Sequence, residues 1–258
     1  MKLAIIGTGN MGGAIARALA AGKYATCPDI TCTVRSSEKL EALAAYGFNA
    51  TSDNRKAVKG ADMIVFAVKP WMMEEVVRDV APFMDLSNQI VASVAAGVTF
   101  EQLAQWLGGE AAMFRIIPNT AIEVGSGVTF ISSCNASSAQ KTMILDMFSQ
   151  MGYALEVEES MMAAGTALAS CGIAYAMKYI QAASCGGEAL GFSAEQARKV
   201  VEYTVKGAAD LLIATGADPQ VEIDKVTTPG GMTQKGLAAM EQAGFSQAIA
   251  DGLNACLK

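Results

Sequence analysis

The chain predicts an α/β domain with a mostly parallel sheet, followed by an all-helical domain, and three observations carry that expectation. Short β-branched runs alternate with helical segments as far as about residue 155. From about Met161 onward the strand signal disappears and only helical patterning remains. At 258 residues, 52% hydrophobic and 17% charged, with mean hydropathy +0.31, the chain can bury a large core and is not of disordered composition. The boundary is expected between residues 158 and 159, so that 1–158 forms the first domain and 159–258 the second.

Taken in order, the expected strands are Leu3–Ile6, Ile30–Val34, Met63–Val68, Gln89–Val94, Met113–Ile117 and Val128–Ile131. Helical stretches fall between them at Met11–Ala21, Glu38–Ala45, Met72–Pro82 and Phe100–Leu107. Such alternation implies βαβ units and a sheet covered on both faces. The second half reads as helices over Met161–Leu190, Ser193–Thr215 (opening on a Ser-x-x-Gln capping box), Thr233–Gln242 and Ser246–Leu257. There is no internal repeat and no low-complexity linker.

Composition removes several function classes. The net charge is −6 with no basic block, which argues against nucleic acid or an anionic membrane as partner. There is no histidine, so Ser-His-Asp and Cys-His catalysis and His-ligated metal sites are excluded. The six cysteines contain no CxxC pair, no metal site is expected, and a chain of this size needs no disulfide staples. Reduced thiols in the cytoplasm are the expectation. The first residues run straight into Leu3-Ala4-Ile5-Ile6 and a glycine turn, so no signal peptide is expected. The uncharged stretch Ser160–Met177 approaches membrane-spanning length, but its Ala, Gly, Ser and Met content suits a buried or inter-subunit helix better.

Gly7-Thr8-Gly9-Asn10-Met11-Gly12 follows a strand and opens a helix, the context that a dinucleotide fingerprint requires. Gly7 permits the tight turn, Gly9 admits a pyrophosphate to the backbone, and Gly12 allows close helix–strand packing, with phosphates on the helix N-terminus. The alternative is a glycine-rich turn without a ligand. The second strand bears on which dinucleotide binds. An NAD site places an acid at its end, whereas here Val34 is followed by Arg35-Ser36-Ser37. A cation with hydroxyls suits a 2′-phosphate, so NADP(H) is favoured, with NAD(H) as a further possibility. The bland reading is a helix N-cap by Ser36 or Ser37 beside a solvated arginine. Two more strand ends face the same crevice. Ala67-Val68-Lys69-Pro70 closes one abruptly, and Ala95-Ala96-Gly97-Val98 ends the other in small residues that leave room for a flat ligand. Lys69 reads equally well as a solvated loop lysine.

In the helical half, Thr228-Pro229-Gly230-Gly231-Met232-Thr233 leads into a helix start. Its successive backbone N–H groups would suit a small carboxylate. Thr233 either caps that helix or offers its hydroxyl to a ligand.

With these residues in place, the sequence resembles the Δ1-pyrroline-5-carboxylate reductases, NAD(P)H enzymes of the last step of proline synthesis. The matching stretches are Gly7–Gly12, Ala67–Pro70, Ala95–Thr99, Pro118–Thr120 and Thr228–Thr233, in family order over nearly the whole chain. The resemblance implies a Rossmann-type domain, a helical dimerisation domain, and assembly of dimers, commonly into a decamer. It implies that Asn54 and Ala95 contact the cofactor, joining the site read above from Ile6, Gly7, Thr8, Gly9, Asn10, Met11 and Gly12, from Arg35 and Ser36, and from Ala67, Val68, Lys69 and Pro70. On the substrate side it implies Glu159 near the substrate and Thr233 on the ring nitrogen, beside the Gly230, Gly231 and Met232 amides read above. Two departures touch that side: Ala169-Ser170-Cys171-Gly172-Ile173-Ala174-Tyr175 where the family usually reads Ser-Gly-Ser-Gly-Pro-Ala-Tyr, and Ala121 in place of proline after Asn-Thr.

The reaction so implied is hydride transfer to the C=N carbon of (S)-1-pyrroline-5-carboxylate, giving L-proline. A protonated cyclic imine is already electrophilic, which fits a chain without histidine, and a threonine hydroxyl would serve orientation only. Two competitors differ in class. A β-hydroxyacid-type dehydrogenase would need a Lys-x-x-Asn pair on the long helix, where this chain has Lys178 and Gln181. A non-catalytic NADP(H) sensor would use the same fold without turnover.

Overall fold

The structure is a computed structural model that describes residues 1–257, in two compact units divided between Ser170 and Cys171.

The first unit is built on one eight-stranded sheet. Its strands are β1 (Leu3–Ile6), β2 (Ile30–Thr33), β3 (Asn49–Thr51), β4 (Met63–Phe66), β5 (Ile90–Ser93), β6 (Ala112–Pro118), β7 (Gly127–Cys134) and β8 (Gly152–Glu156), in the order β3-β2-β1-β4-β5-β6-β7-β8. All neighbours are parallel except β6 and β7. The first six strands carry the doubly wound order of dinucleotide-binding domains, with the topological switch between β1 and β4.

Every residue of β1 and β4 is buried, and pleating divides them between two apolar layers. Leu3, Ile5, Met63 and Val65 meet Ile15 and Leu19 of α1 (Asn10–Ala21) and Ile144 and Phe148 of α6 (Ser138–Ser149). Ala4, Ile6, Ile64 and Phe66 meet Val77 and Val80 of α4 (Met73–Val80) and Leu103 of α5 (Phe100–Leu107). The remaining helices of this unit are α2 (Ser37–Tyr46), α3 (Asn54–Ala57) and α7 (Met162–Gly165).

The expected strands all form, with ends shifted by up to three residues. β3, β8, α6 and the short helix Asn54–Ala57 are additional. β3 and β8 are edge strands with no buried residue, so they carry no apolar run to read. The helix expected over Met161–Leu190 is not continuous: Glu159–Met161 is a 3₁₀ turn, and a π-helical stretch, Thr166–Cys171, follows α7. π-Helical turns leave no periodic signature in a stretch of Ala, Ser, Thr and Cys, and they recur at functional sites.

The second unit contains α8 (Gly172–Ala189), α9 (Ala194–Thr215), α10 (Pro219–Lys225), α11 (Met232–Gln242) and α12 (Phe245–Ala255). The Ser193–Gln196 capping box opens α9 as expected. α10 was not expected; Asp218 caps it and Pro219 occupies its first position. α12 is tied to α8 where the Tyr175 hydroxyl donates to the Gly252 carbonyl at 3.0 Å. Among the described residues of this unit only Ser184 and Ala197 are buried, and Leu190, Ile213 and Met232 are more than four-fifths exposed.

Candidate functional site

The Gly7–Gly12 turn sits at the carboxyl end of β1, against β4. Gly7 has φ +92°, and a Cβ there would lie 2.6 Å from Val68 Cγ1. A Cβ on Gly12 would lie 2.5 Å from the Gly7 carbonyl oxygen, whereas one on Gly9 would meet nothing within 4 Å. Two glycines are therefore forced by close packing and the middle one faces open space, as a pyrophosphate cradle requires. Gly9 takes the N-cap position of α1, so its first-turn amides carry no side-chain cap. The turn is anchored to β2: Gly7 N–H donates to Thr33 Oγ1 at 3.0 Å and Thr8 N–H to the Thr33 carbonyl at 2.7 Å. Beside Thr8, burial pushes the Cys32 thiol up to about 11, which marks it as a packing residue.

Arg35 is exposed at the end of β2, with no ion pair or side-chain hydrogen bond among the described residues. Ser36 occupies the N-cap position of α2, yet its hydroxyl makes no capping bond. The bland reading of this segment, a hydroxyl spent on the helix end, therefore does not hold for Ser36. A cation and a free hydroxyl stand together at the strand end.

Ile6 closes β1 and is fully buried; Ala67 and Val68 are half-buried past the end of β4. Lys69 and Pro70 are exposed and lead into a 3₁₀ turn. Asn54 is half-buried at the start of α3, which Asp53 caps. Ala95 is buried beyond β5, where its N–H donates to Ser93 Oγ at 3.3 Å. Glu159 lies in the same unit, and its Oε1 accepts from Arg115 Nη1 at 2.7 Å and from the Phe100 N–H at 2.8 Å.

In the helical unit, α11 begins at Met232 with Gly231 as N-cap. Thr233 is thus the second residue of the helix and not its cap, and it is exposed. The expected row of open amides narrows. Gly230 N–H donates to Gln234 Oε1 at 2.6 Å and Gly231 N–H to the Thr228 carbonyl at 2.9 Å. Met232 and Thr233 keep first-turn amides without an acceptor among the described residues. A Cβ on Gly231 would lie 2.4 Å from Thr228 Oγ1, so this close fold-back favours glycine at 231. On α8, Lys178 Nζ donates to Gln181 Oε1 at 2.8 Å, both on the exposed surface.

Sequence reasoning missed Thr33, Ser93 and Arg115. Thr33 gives no local signal, because its role depends on strand pairing; Ser93 reads as an ordinary strand-end serine, although it serves the Ala95 N–H only two residues on. Arg115 does give one: a lone charge inside the apolar run Met113-Phe114-Arg115-Ile116-Ile117.

Comparison with known proteins bears on both units. Residues 159–258 match the family described as pyrroline-5-carboxylate reductase dimerisation, and residues 2–97 match NADP oxidoreductase coenzyme F420-dependent. Pyrroline-5-carboxylate reductase 1 of Dictyostelium discoideum is 34% identical over 97% of this chain, but the chain spans only 48% of that relative's length. The pyrroline-5-carboxylate reductase of Aquifex aeolicus is 32% identical over 98% of this chain and 94% of its own. Among solved structures, Plasmodium falciparum pyrroline carboxylate reductase with NADP bound superposes with a TM-score of 0.91 at 28% identity, covering all of this chain and 95% of its own. A glycine turn on the doubly wound order, a helical unit opening α11 on Pro-Gly-Gly-Met-Thr, and a relative alike from end to end lead to one assignment: the chain belongs to the pyrroline-5-carboxylate reductase family.

Proposed function

We propose that the chain reduces (S)-1-pyrroline-5-carboxylate to L-proline with NADPH as hydride donor. The observation that carries this is the pairing, within one family member, of an open glycine cradle beside a free Arg35 and Ser36 with a second unit whose α11 presents two open amides and a free threonine hydroxyl. The cradle fits a dinucleotide, since Gly7 and Gly12 leave no space for side chains and Gly9 leaves space for phosphate. The cofactor supplies a hydride for the imine carbon.

The protein's share is binding and orientation. The α1 N-terminus holds the pyrophosphate on backbone N–H groups, and Arg35 with Ser36 reads the 2′-phosphate. Ala67–Pro70, Asn54 and Ala95 complete the cofactor side. The Met232 and Thr233 amides hold the substrate carboxylate at the positive end of α11, and the Thr233 hydroxyl orients the ring nitrogen. NADP(H) is preferred to NAD(H) because no acid stands where a 2′-phosphate would meet it. Imine-dependent oxidation of NADPH, followed by its absorbance, tests this. Turnover with the cyclic imine supports the reading, and turnover only with a hydroxyacid and NADP+ refutes it.

Residues 159–258 serve as the substrate-binding and dimerisation domain. A homodimer through this domain, able to assemble further into a decamer, is supported by the family match and by the apolar side chains left exposed on a single chain. The exposed apolar side chains of α8 belong to that interface and not to a membrane, and the acidic balance argues against a nucleic-acid partner. Six unpaired cysteines agree with a cytoplasmic location. Analytical ultracentrifugation at micromolar concentration is expected to show a dimer or larger species, and a monomer would refute the interface.

A further inference from the structure

Among the described residues, Arg115 is the only charged residue that is buried. It stands in the middle of β6, opposite Ser93 of β5 and Ser132 of β7, with its side chain 8% exposed. Its Nε has no hydrogen-bond partner. Burying a guanidinium costs more desolvation than one ion pair commonly returns, and apolar replacements of buried pairs are often neutral or stabilising. Stability is therefore a poor reason for this residue.

Its geometry supplies a better one. Arg115 Nη1 holds Glu159 Oε1, and that same oxygen accepts the N–H of Phe100, the first residue of α5. The Thr99–Gln102 capping box serves the N–H groups of Gln102 and Thr99, leaving that of Phe100 to Glu159. Residues 95–99, which join β5 to α5, are thus pinned at both ends: by Ser93 Oγ on the Ala95 N–H and by Glu159 on the Phe100 N–H. Between these pins the turn passes through Gly97 at φ +80°.

We propose that Arg115 is a positioning residue for the reduction, holding Glu159 on the first turn of α5 and so fixing the 95–99 turn at the carboxyl end of β5. This rests on the reductase reading above. Arg115 acts through Glu159 and touches no proposed ligand. The phosphate-binding groups of α1 and β2 lie on other elements, so loss of Arg115 leaves those contacts in place and loosens only the turn that carries Ala95, slowing transfer more than it weakens NADPH binding.

The test is Arg115→Met in the full-length protein. It is read by kcat, KM for NADPH, the isotope effect with NADPH deuterated at the transferred position, and hydrogen exchange of the Phe100 amide. The expected result is a fall in kcat of about tenfold, since small misplacements carry large rate penalties. KM for NADPH should rise less than kcat falls, the isotope effect should rise, and exchange should quicken at Phe100 but not at Gly7–Gly12. Arg115→Lys should restore most of the rate. If Arg115→Met does not fold, Arg115→Met with Glu159→Gln removes both charges and should show the same loss of kcat. Normal kcat and isotope effect in the folded variant would overturn the proposal, as would a KM that rises as far as kcat falls, or a lysine variant that restores nothing. Failure of the reductase reading shows separately, as absent imine turnover in the unmodified protein. Phe100 exchange in Arg115→Met then decides by itself whether Arg115 acts through Glu159.

Discussion

Arg35→Asp is expected to raise KM for NADPH roughly ten- to a hundredfold and to leave KM for NADH nearly unchanged. The magnitude follows from losing a charge-assisted hydrogen bond, worth about 1.5–3 kcal/mol, and from placing a repelling carboxylate against the 2′-phosphate. In the folded chain Arg35 has no partner to lose, because it makes no ion pair or side-chain hydrogen bond among the described residues. The substitution should therefore not alter thermal stability, which separates a cofactor effect from a folding effect. It should also reverse the cofactor preference, since an acid at this strand end is what an NAD site supplies for the ribose hydroxyls. Steady-state kinetics with both cofactors decide it: equal losses with NADPH and NADH would reduce Arg35 to a solvated surface charge, and Ser36 would be left alone at the strand end.

The central sheet was legible because burial on both faces leaves the continuous β-branched runs of β1, β4 and β5 in the sequence. The edges were not. β3 is Asn-Ala-Thr, and β8 exposes Tyr153 and Leu155, so neither run distinguishes a strand from a loop. The glycine turn was legible because its demands are local and steric, as Gly7 and Gly12 show against Val68 and the Gly7 carbonyl. The Arg115–Glu159–Phe100 arrangement was not, because it joins residues 44 and 59 positions apart through strand pairing. The start of α11 lay between these cases. Pro229-Gly230-Gly231 announces a helix start, but the backbone shows that the cap is Gly231 and that Gly230 already donates to Gln234.

That last detail sharpens what Thr233 should do when altered. As the second residue of α11 its hydroxyl caps nothing, so Thr233→Val, nearly isosteric and of similar helix propensity, should leave the melting temperature within a degree or two of the native value. If the hydroxyl orients the imine nitrogen, Val should cut kcat/KM by about one to two orders of magnitude, because a bound ring N–H loses its partner. Thr233→Ser keeps the hydroxyl and should retain most activity. Neither change removes the Met232 and Thr233 amides, so a carboxylate bound there remains bound. A non-reducible carboxylate analogue of the substrate should accordingly inhibit the Val variant about as well as the native enzyme. Normal turnover in Thr233→Val would remove the hydroxyl from the reaction and leave substrate recognition in this unit to those two amides. Loss of both turnover and analogue binding would instead mean that the helix start itself had moved, which circular dichroism and the melting temperature of the variant would reveal.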